Sequence, residues 1–169
     1  MQVMDFFVTP DGYVQGPQHR WRCALGRGQV GLKSKEGDGI TPQGRHKLGR
    51  VFWRSDRLEP IQTRLNCTEI TDQMGWCDDL THPDYNILVA LPHPAHHEQM
   101  WREDHVYDIV VELLYNTNPI VSGHGSAIFM HVARPGYTHT EGCIALNLND
   151  LLQLLNEASV DSWINVARK

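Results

Sequence analysis

The sequence predicts a mainly β protein, a β-sandwich with one clear helix just after Cys143. Two observations predict it. The first hundred residues are punctuated by Gly, Pro, Asp and Asn, with short β-rich pieces between them and no sustained helical period. Only residues 150–158 bring apolar side chains to helical spacing over a useful length.

Taken in order, strands are expected at residues 6–8, 21–25, 28–32, 47–53, 64–70 and 86–90, each a short run of β-favouring residues closed by turn formers. Residues 98–103 read as a helical turn. Residues 106–114, rich in branched side chains, read as a strand despite their Leu pair. Residues 127–131 form a buried strand with His131 at its exit. The helix over 150–158 takes Asn149 as its cap, sets Asp150 at its positive end, and presents Leu151, Leu154, Leu155 and Ala158 on one face. Trp163, Ile164 and Val166 close the sheet as a last strand. Repeats and low-complexity tracts are absent, so one domain over residues 1–169 is expected.

The chain has 169 residues, 41% of them hydrophobic, with a mean hydropathy of −0.40; that suffices for a proper core and excludes disorder over any large part. A net charge of −5 and a pI near 6.0 count against nucleic acid as a partner, because phosphate neutralisation requires a basic face. Arg20, Arg22 and Arg27 lie among turn residues and read as solvated surface. No window is long and apolar enough for a membrane span. The N-terminus lacks a basic start followed by an apolar run of signal length, since Asp5 interrupts it and Thr9-Pro10-Asp11-Gly12 follows.

Four cysteines, Cys23, Cys67, Cys77 and Cys143, show no CxxC spacing, which argues against a structural zinc site. A Cys67–Cys77 bridge in an oxidising compartment stays open; a nucleophile must remain free. Cys143 follows Gly142, enters an apolar run and lies downstream of His131. That is the layout of a thiol with its base, because the thiolate is the reactive form and an imidazole can take its proton. Pro135 and Gly136 place a turn between adjacent strands, bringing the two side chains together. Gly142 lets backbone approach a carbonyl, so the Gly142 and Cys143 amides are candidate oxyanion donors. A thiol of this kind is expected to react fast with alkylating agents.

Two other chemistries are legible. His93, His96, His97, Glu98 and His105, near Asp104, offer zinc ligands for a metallohydrolase, although the spacing is not H-E-x-x-H and Pro92 and Pro94 break any aligning helix. Ser126 lacks a Gly-x-Ser-x-Gly elbow. His124, before Gly125-Ser126, reads either as a substrate contact or as a turn cap.

Residues 128–131 and 140–146, with the block Glu36-Gly37-Asp38-Gly39-Ile40-Thr41-Pro42-Gln43-Gly44, resemble the motifs of the L,D-transpeptidase catalytic domain, the YkuD-like family of peptidoglycan cross-linking enzymes. The resemblance implies a β-sandwich of that family's type and a short-loop branch of it. It implies Cys143 as nucleophile, His131 as base, the Val132 carbonyl fixing the imidazole, and peptidoglycan stem peptides as partner, with neither cofactor nor metal. Contacts to substrate are expected from His124, Arg134, Tyr137, His139, Thr140 and Glu141. The implied reaction attacks the third-residue carbonyl of a tetrapeptide stem, releases D-alanine and passes the acyl group to an amine, or to water in a carboxypeptidase outcome. Acylation by carbapenems, a role in cell wall biogenesis and cell shape, and a place in the periplasm or cell envelope follow from the same likeness. With no leader visible, either the leader is absent from this chain or export uses another route. Val132, Glu141 and Ala145 stand where the family commonly has Gly, His and Arg, and the short interval from His131 to Thr140 suggests an open acceptor side. Oligomeric state is left open.

Overall fold

A computed structural model describes residues 4–168. Its order is β1 (Phe6–Thr9), β2 (Tyr13–Gln15), β3 (Arg20–Arg22), β4 (Val30–Gly31), β5 (Thr41–Pro42), β6 (Gly44–Trp53), β7 (Cys67–Glu69), β8 (Met74–Cys77), β9 (Leu88–Ala90), β10 (His97–Gln99), β11 (Ile109–Leu113), β12 (Phe129–Val132), β13 (Ile144–Leu146), α1 (Leu148–Glu157) and β14 (Trp163–Val166). The protein is mainly β, as its punctuation and its single helical period require.

The main sheet has nine strands in the order β13-β12-β11-β6-β14-β1-β2-β3, with β7 alongside β6. Its two ends meet. Just past β3, Ala24 exchanges both backbone hydrogen bonds with Ala145 of β13, at 2.8 and 3.0 Å, so the sheet curls into a barrel-like sandwich. Alternating side chains of the curled strands, among them Leu48, Val51, Ile109, Val111, Met130 and Ile144, point inward. There they bury Leu151, Leu154 and Leu155 of α1. A three-stranded sheet, β10-β8-β9, lies outside this core and packs Trp76 against Phe129, ring centroids 4.9 Å apart.

Several expectations need correction. α1 starts two residues before 150 and is capped by Asn147, not Asn149: Asn147 Oδ1 accepts from the Asp150 amide at 2.9 Å and Asn147 Nδ2 donates to Asp150 Oδ2 at 2.9 Å. Both asparagines suit a cap, and Asn147 is the one with a bonding partner three residues on. The helical turn at 98–103 is absent, because His97–Gln99 pairs with β8 and ladder bonds outweigh local propensity. The strand expected at 28–32 shortens to β4, and that at 64–70 to β7. β12 and β13 are adjacent but parallel, so the loop through Pro135 and Gly136 is a crossover rather than a hairpin turn. β2, β5, β8, β10 and β13 were not anticipated. All are two to four residues long, too short to establish a period.

Candidate active site

Cys143 and His131 come together because β12 and β13 run parallel in the register His131↔Ala145. Side chains alternate along each strand, so His131 and Phe129 share a face with Ala145 and Cys143. Both candidate residues are buried, 7% and 8% exposed, and both line one cavity of about 500 Å³.

The sulfur is held by backbone. Cys143 Sγ donates to the Ala127 carbonyl at 3.2 Å and accepts from the Phe129 amide at 3.4 Å. Burial pushes the thiol up to about 12; the Phe129 amide opposes this, and the Glu98 carboxylate adds to it. His131 Nδ1 donates to the Val132 carbonyl at 3.0 Å, which leaves Nε2 as the free lone pair. Burial pushes this imidazole down to about 4, against the bond to Val132. Thiol and imidazole are therefore a neutral pair at rest. Burial thus works against the thiolate, whose formation depends on a change of surroundings.

The loop before Cys143 is stapled. Thr140 Oγ1 donates to the Cys143 carbonyl at 2.7 Å and accepts from the Gly142 amide at 3.1 Å. The Gly142 amide, an expected oxyanion donor, is thus engaged at rest. Gly142 sits at φ 133, and a Cβ there would lie 2.8 Å from the Ile40 carbonyl, so no side chain fits. Glu141, the acidic departure, pairs with Arg27 Nε at 2.9 Å, and Arg27 Nη2 donates to the Gly37 carbonyl at 2.7 Å. The pair ties the cysteine loop to the acidic block.

The cavity wall comes from far along the chain. Lys33, Glu36, Asp78, Glu98, Arg102 and Tyr107 all reach it; the sequence offered Glu98 only as a zinc ligand and Glu36 only within the acidic block, and the others not as site residues. They arrive on β10 and on several loops, and no local period marks them. Lys33 is nearly buried against Asp38 at 2.6 Å. Burial pushes the Asp38 carboxyl up, yet the Lys33 ammonium and the amides of Ile40, Ser34 and Lys35 hold it well below the usual carboxylate range. Tyr107 donates to Glu98 Oε1 at 2.7 Å and sets its ring edge against His131, centroids 5.6 Å apart. Burial pushes the Glu98 carboxyl up.

Of the expected substrate contacts, Arg134, His139, Thr140 and Glu141 line this cavity. Tyr137 does not; it lines a second cavity of about 240 Å³, shared at His139, where the Arg22 guanidinium stacks on its ring at 4.3 Å. His124 lines neither: its amide donates to the Val121 carbonyl at 3.2 Å and its own carbonyl accepts from Tyr115 Oη at 2.6 Å, so it belongs to a turn.

The histidines read as zinc ligands have separate partners. His96 pairs with Asp78, His105 with Asp108, and His97 Nδ1 with the Ala95 carbonyl. Among the described residues one group has ligand atoms close together, His82, Asp84 and His93, within 4.8 Å. Both rings spend Nδ1 accepting a backbone amide, His82 from Asp84 at 3.1 Å and His93 from Ala95 at 3.2 Å. His93 then carries its proton on Nε2, which gives it to Asp84 at 3.0 Å. A cation there would displace all three bonds. All four cysteines are free, Cys67 exposed and Cys77 buried.

A buried thiol and imidazole on neighbouring strands thus open on one charged cavity within a curled sheet. The YkuD family, the L,D-transpeptidase catalytic domain, matches residues 8–166, and the chain belongs to that family. The chain therefore carries an L,D-transpeptidase catalytic domain over nearly its whole described length. No curated protein matches the chain in sequence. Among solved structures, the chain is similar to the helical cell shape determining protein Pgp2 from Campylobacter jejuni, with a TM-score of 0.51 and 16% identity over 99% of this chain and 48% of that one. At that identity the likeness speaks for the fold alone. The chain spans about half the length of that protein.

Proposed function

We propose that this chain is a cysteine-dependent peptidoglycan L,D-transpeptidase in which Cys143 is the nucleophile and His131 the base, residues 1–169 acting as one catalytic unit. One observation carries the reading: a thiol and an imidazole with a free Nε2 share one face of adjacent parallel strands and open on one cavity. The donor is a tetrapeptide stem bound with the carbonyl of its third residue, a diamino acid, against the sulfur. His131 Nε2 takes the thiol proton, sulfur attacks the carbonyl, and the developing oxyanion is met by the Cys143 amide, joined by Gly142 once its bond to Thr140 opens. Collapse breaks the peptide bond. D-alanine leaves with the proton from His131, and the stem remains as a thioester on Cys143. An incoming amine, of a third-position diamino acid or a first-position L-alanine, gives its proton to His131 and replaces the sulfur, forming a cross-link and restoring the thiol.

The Val132 carbonyl keeps the ring in the tautomer that this sequence needs, and its hydrogen bond stabilises the imidazolium once formed. Substrate entering the cavity displaces water and places a polarised carbonyl by the sulfur, the change of surroundings that the neutral pair requires. The cavity suits a peptide bearing charges of both signs, since Glu36, Glu98 and Glu141 face it along with Lys33, Arg102 and Arg134. The protein's place of action on this reading is the cell envelope or periplasm. Among the described residues no helix is long and apolar enough to cross a membrane.

Mass spectrometry of defined tetrapeptide muropeptides incubated with the protein tests the reading. Loss of D-alanine with cross-linked dimers is the expected result, and tripeptide without dimers shifts it to an L,D-carboxypeptidase using water. No D-alanine release from any stem would sink both.

A further inference from the structure

One buried side chain outside the proposed chemistry touches the backbone that places the sulfur. Asn86 is 4% exposed and sits at φ 60, a left-handed conformation that Asn adopts more readily than most residues. Its Oδ1 accepts from the Ala127 amide at 3.0 Å and from Trp76 Nε1 at 3.0 Å. Its Nδ2 donates to the Asn116 carbonyl at 2.8 Å and reaches the Tyr115 carbonyl at 3.5 Å. Amide and indole N–H groups only donate and carbonyls only accept, so the neighbours determine which way the side chain faces. Aspartate lacks the two donors, and an aliphatic residue lacks all four partners.

Ala127 carries the effect to the nucleophile. It holds φ 52, a strained conformation for a residue with a Cβ, which persists only where its surroundings over-determine it. With its amide held by Asn86, its carbonyl accepts the Cys143 thiol at 3.2 Å. Two residues on, the Phe129 amide donates to the same sulfur at 3.4 Å. The sulfur lies between an acceptor for its proton and a donor for its lone pair, both supplied by the segment that leads into β12.

The geometry points to Asn86 as a positioning residue for Cys143, acting through the left-handed Ala127 and its carbonyl. This deepens the proposed function and rests on Cys143 being the nucleophile. Without Asn86 the Ala127 amide is stranded, the residue relaxes out of its strained conformation, and its carbonyl turns from the sulfur. A hydrogen bond from the thiol favours the protonated form, so losing the acceptor moves thiol titration to lower pH. A sulfur that is no longer aimed also attacks more slowly.

The test is Asn86→Ala in the full chain, read by the rate of Cys143 alkylation against pH, with mass spectrometry to separate it from exposed Cys67, and by kcat and KM on a tetrapeptide muropeptide. The expected result is a midpoint lower by about 1 pH unit, with kcat reduced roughly tenfold and KM little changed. A merely structural Asn86 would lower the melting temperature while the folded protein kept the wild-type profile and kcat; that outcome overturns the proposal. Trp76→Phe removes the other donor to Oδ1 and leaves the Ala127 arm intact, so its thiol profile should match wild type. A shift equal to that of Asn86→Ala would overturn the assignment. If Asn86→Ala does not fold, Asn86→Ser decides, because the shorter side chain keeps a polar group but withdraws the acceptor from the Ala127 amide: a shift in the same direction supports the proposal, and none overturns it. Alkylation needs no peptidoglycan, so turnover surviving in Cys143→Ala would sink the nucleophile reading separately from these profiles.

Discussion

The segment leading into and through β12 has two faces with opposite contents. Ile128, Met130 and Val132 join Ile144, Leu146, Leu151, Leu154 and Leu155 in an aliphatic core closed by α1. Ala127 and Phe129 join Cys143, Tyr107 and Trp76 on the other face, where His131 opens on a cavity with Lys33, Glu98 and Arg102. The first face is covered by the helix that follows β13, the second by β10 and loops from distant parts of the chain. A strand of period two can therefore serve stability on one side and chemistry on the other, with a single residue of register separating them.

The sharpest way to break this division is a pair of substitutions. Cys143→Ala should fold as wild type and lose turnover on the order of 10⁴-fold or more, whereas Leu154→Ala should cost about 2–5 kcal/mol of stability and leave kcat of the folded protein unchanged. Urea unfolding and muropeptide turnover on both variants check it. Cys143→Ala with wild-type turnover, or Leu154→Ala with a lost kcat and intact stability, would erase the distinction.

His131 sharpens it through pH. Its imidazole is pushed from 6.5 to about 4 when folded, so between those values the unfolded chain binds more protons. Its contribution is fully present above pH about 6.5 and is lost as pH falls toward about 4, up to about 3 kcal/mol. Urea midpoints at several pH values should therefore slope less in His131→Gln than in wild type; parallel slopes would mean that the ring is not held neutral.

Glu141→Gln comes next in size. The Glu141 carboxylate raises the Cys143 thiol and is mostly exposed beside Arg27, so its removal should move the alkylation midpoint down by well under about 1 unit. A move upward would mean that Glu141 supports the imidazolium instead. The smallest expected effect is that of a chelator. Turnover should be untouched, and a carbapenem should add once to the protein and not to Cys143→Ala, by intact mass. Inactivation by chelator with rescue by zinc would turn attention to His82, Asp84 and His93.

How much was legible follows the same division. α1 was readable because Leu151, Leu154 and Leu155 repeat at helical spacing, although its cap had two candidates and only bonding to Asp150 chose Asn147. The stretch over residues 127–131 read as a buried strand because it is apolar on both faces, which conceals the alternation that separates Met130 from His131. The stretch at 98–103 misled, since its helical propensity yields to pairing of Glu98 with Trp76 in the β8–β10 ladder.

By itself the sequence determined the β class, the helix after Cys143, and the likeness that singles out Cys143, His131, Val132 and Gly142. Those signals are local, carried by period, spacing and short motifs. Only the tertiary structure decided that β12 and β13 run parallel, that thiol and imidazole rest neutral, that His124 belongs to a turn and Tyr137 to a second cavity, and that Asn86 holds Ala127. Each of these depends on groups tens of residues apart meeting in a place shielded from water, where desolvation and a single backbone bond set the charge state, and no local pattern encodes that.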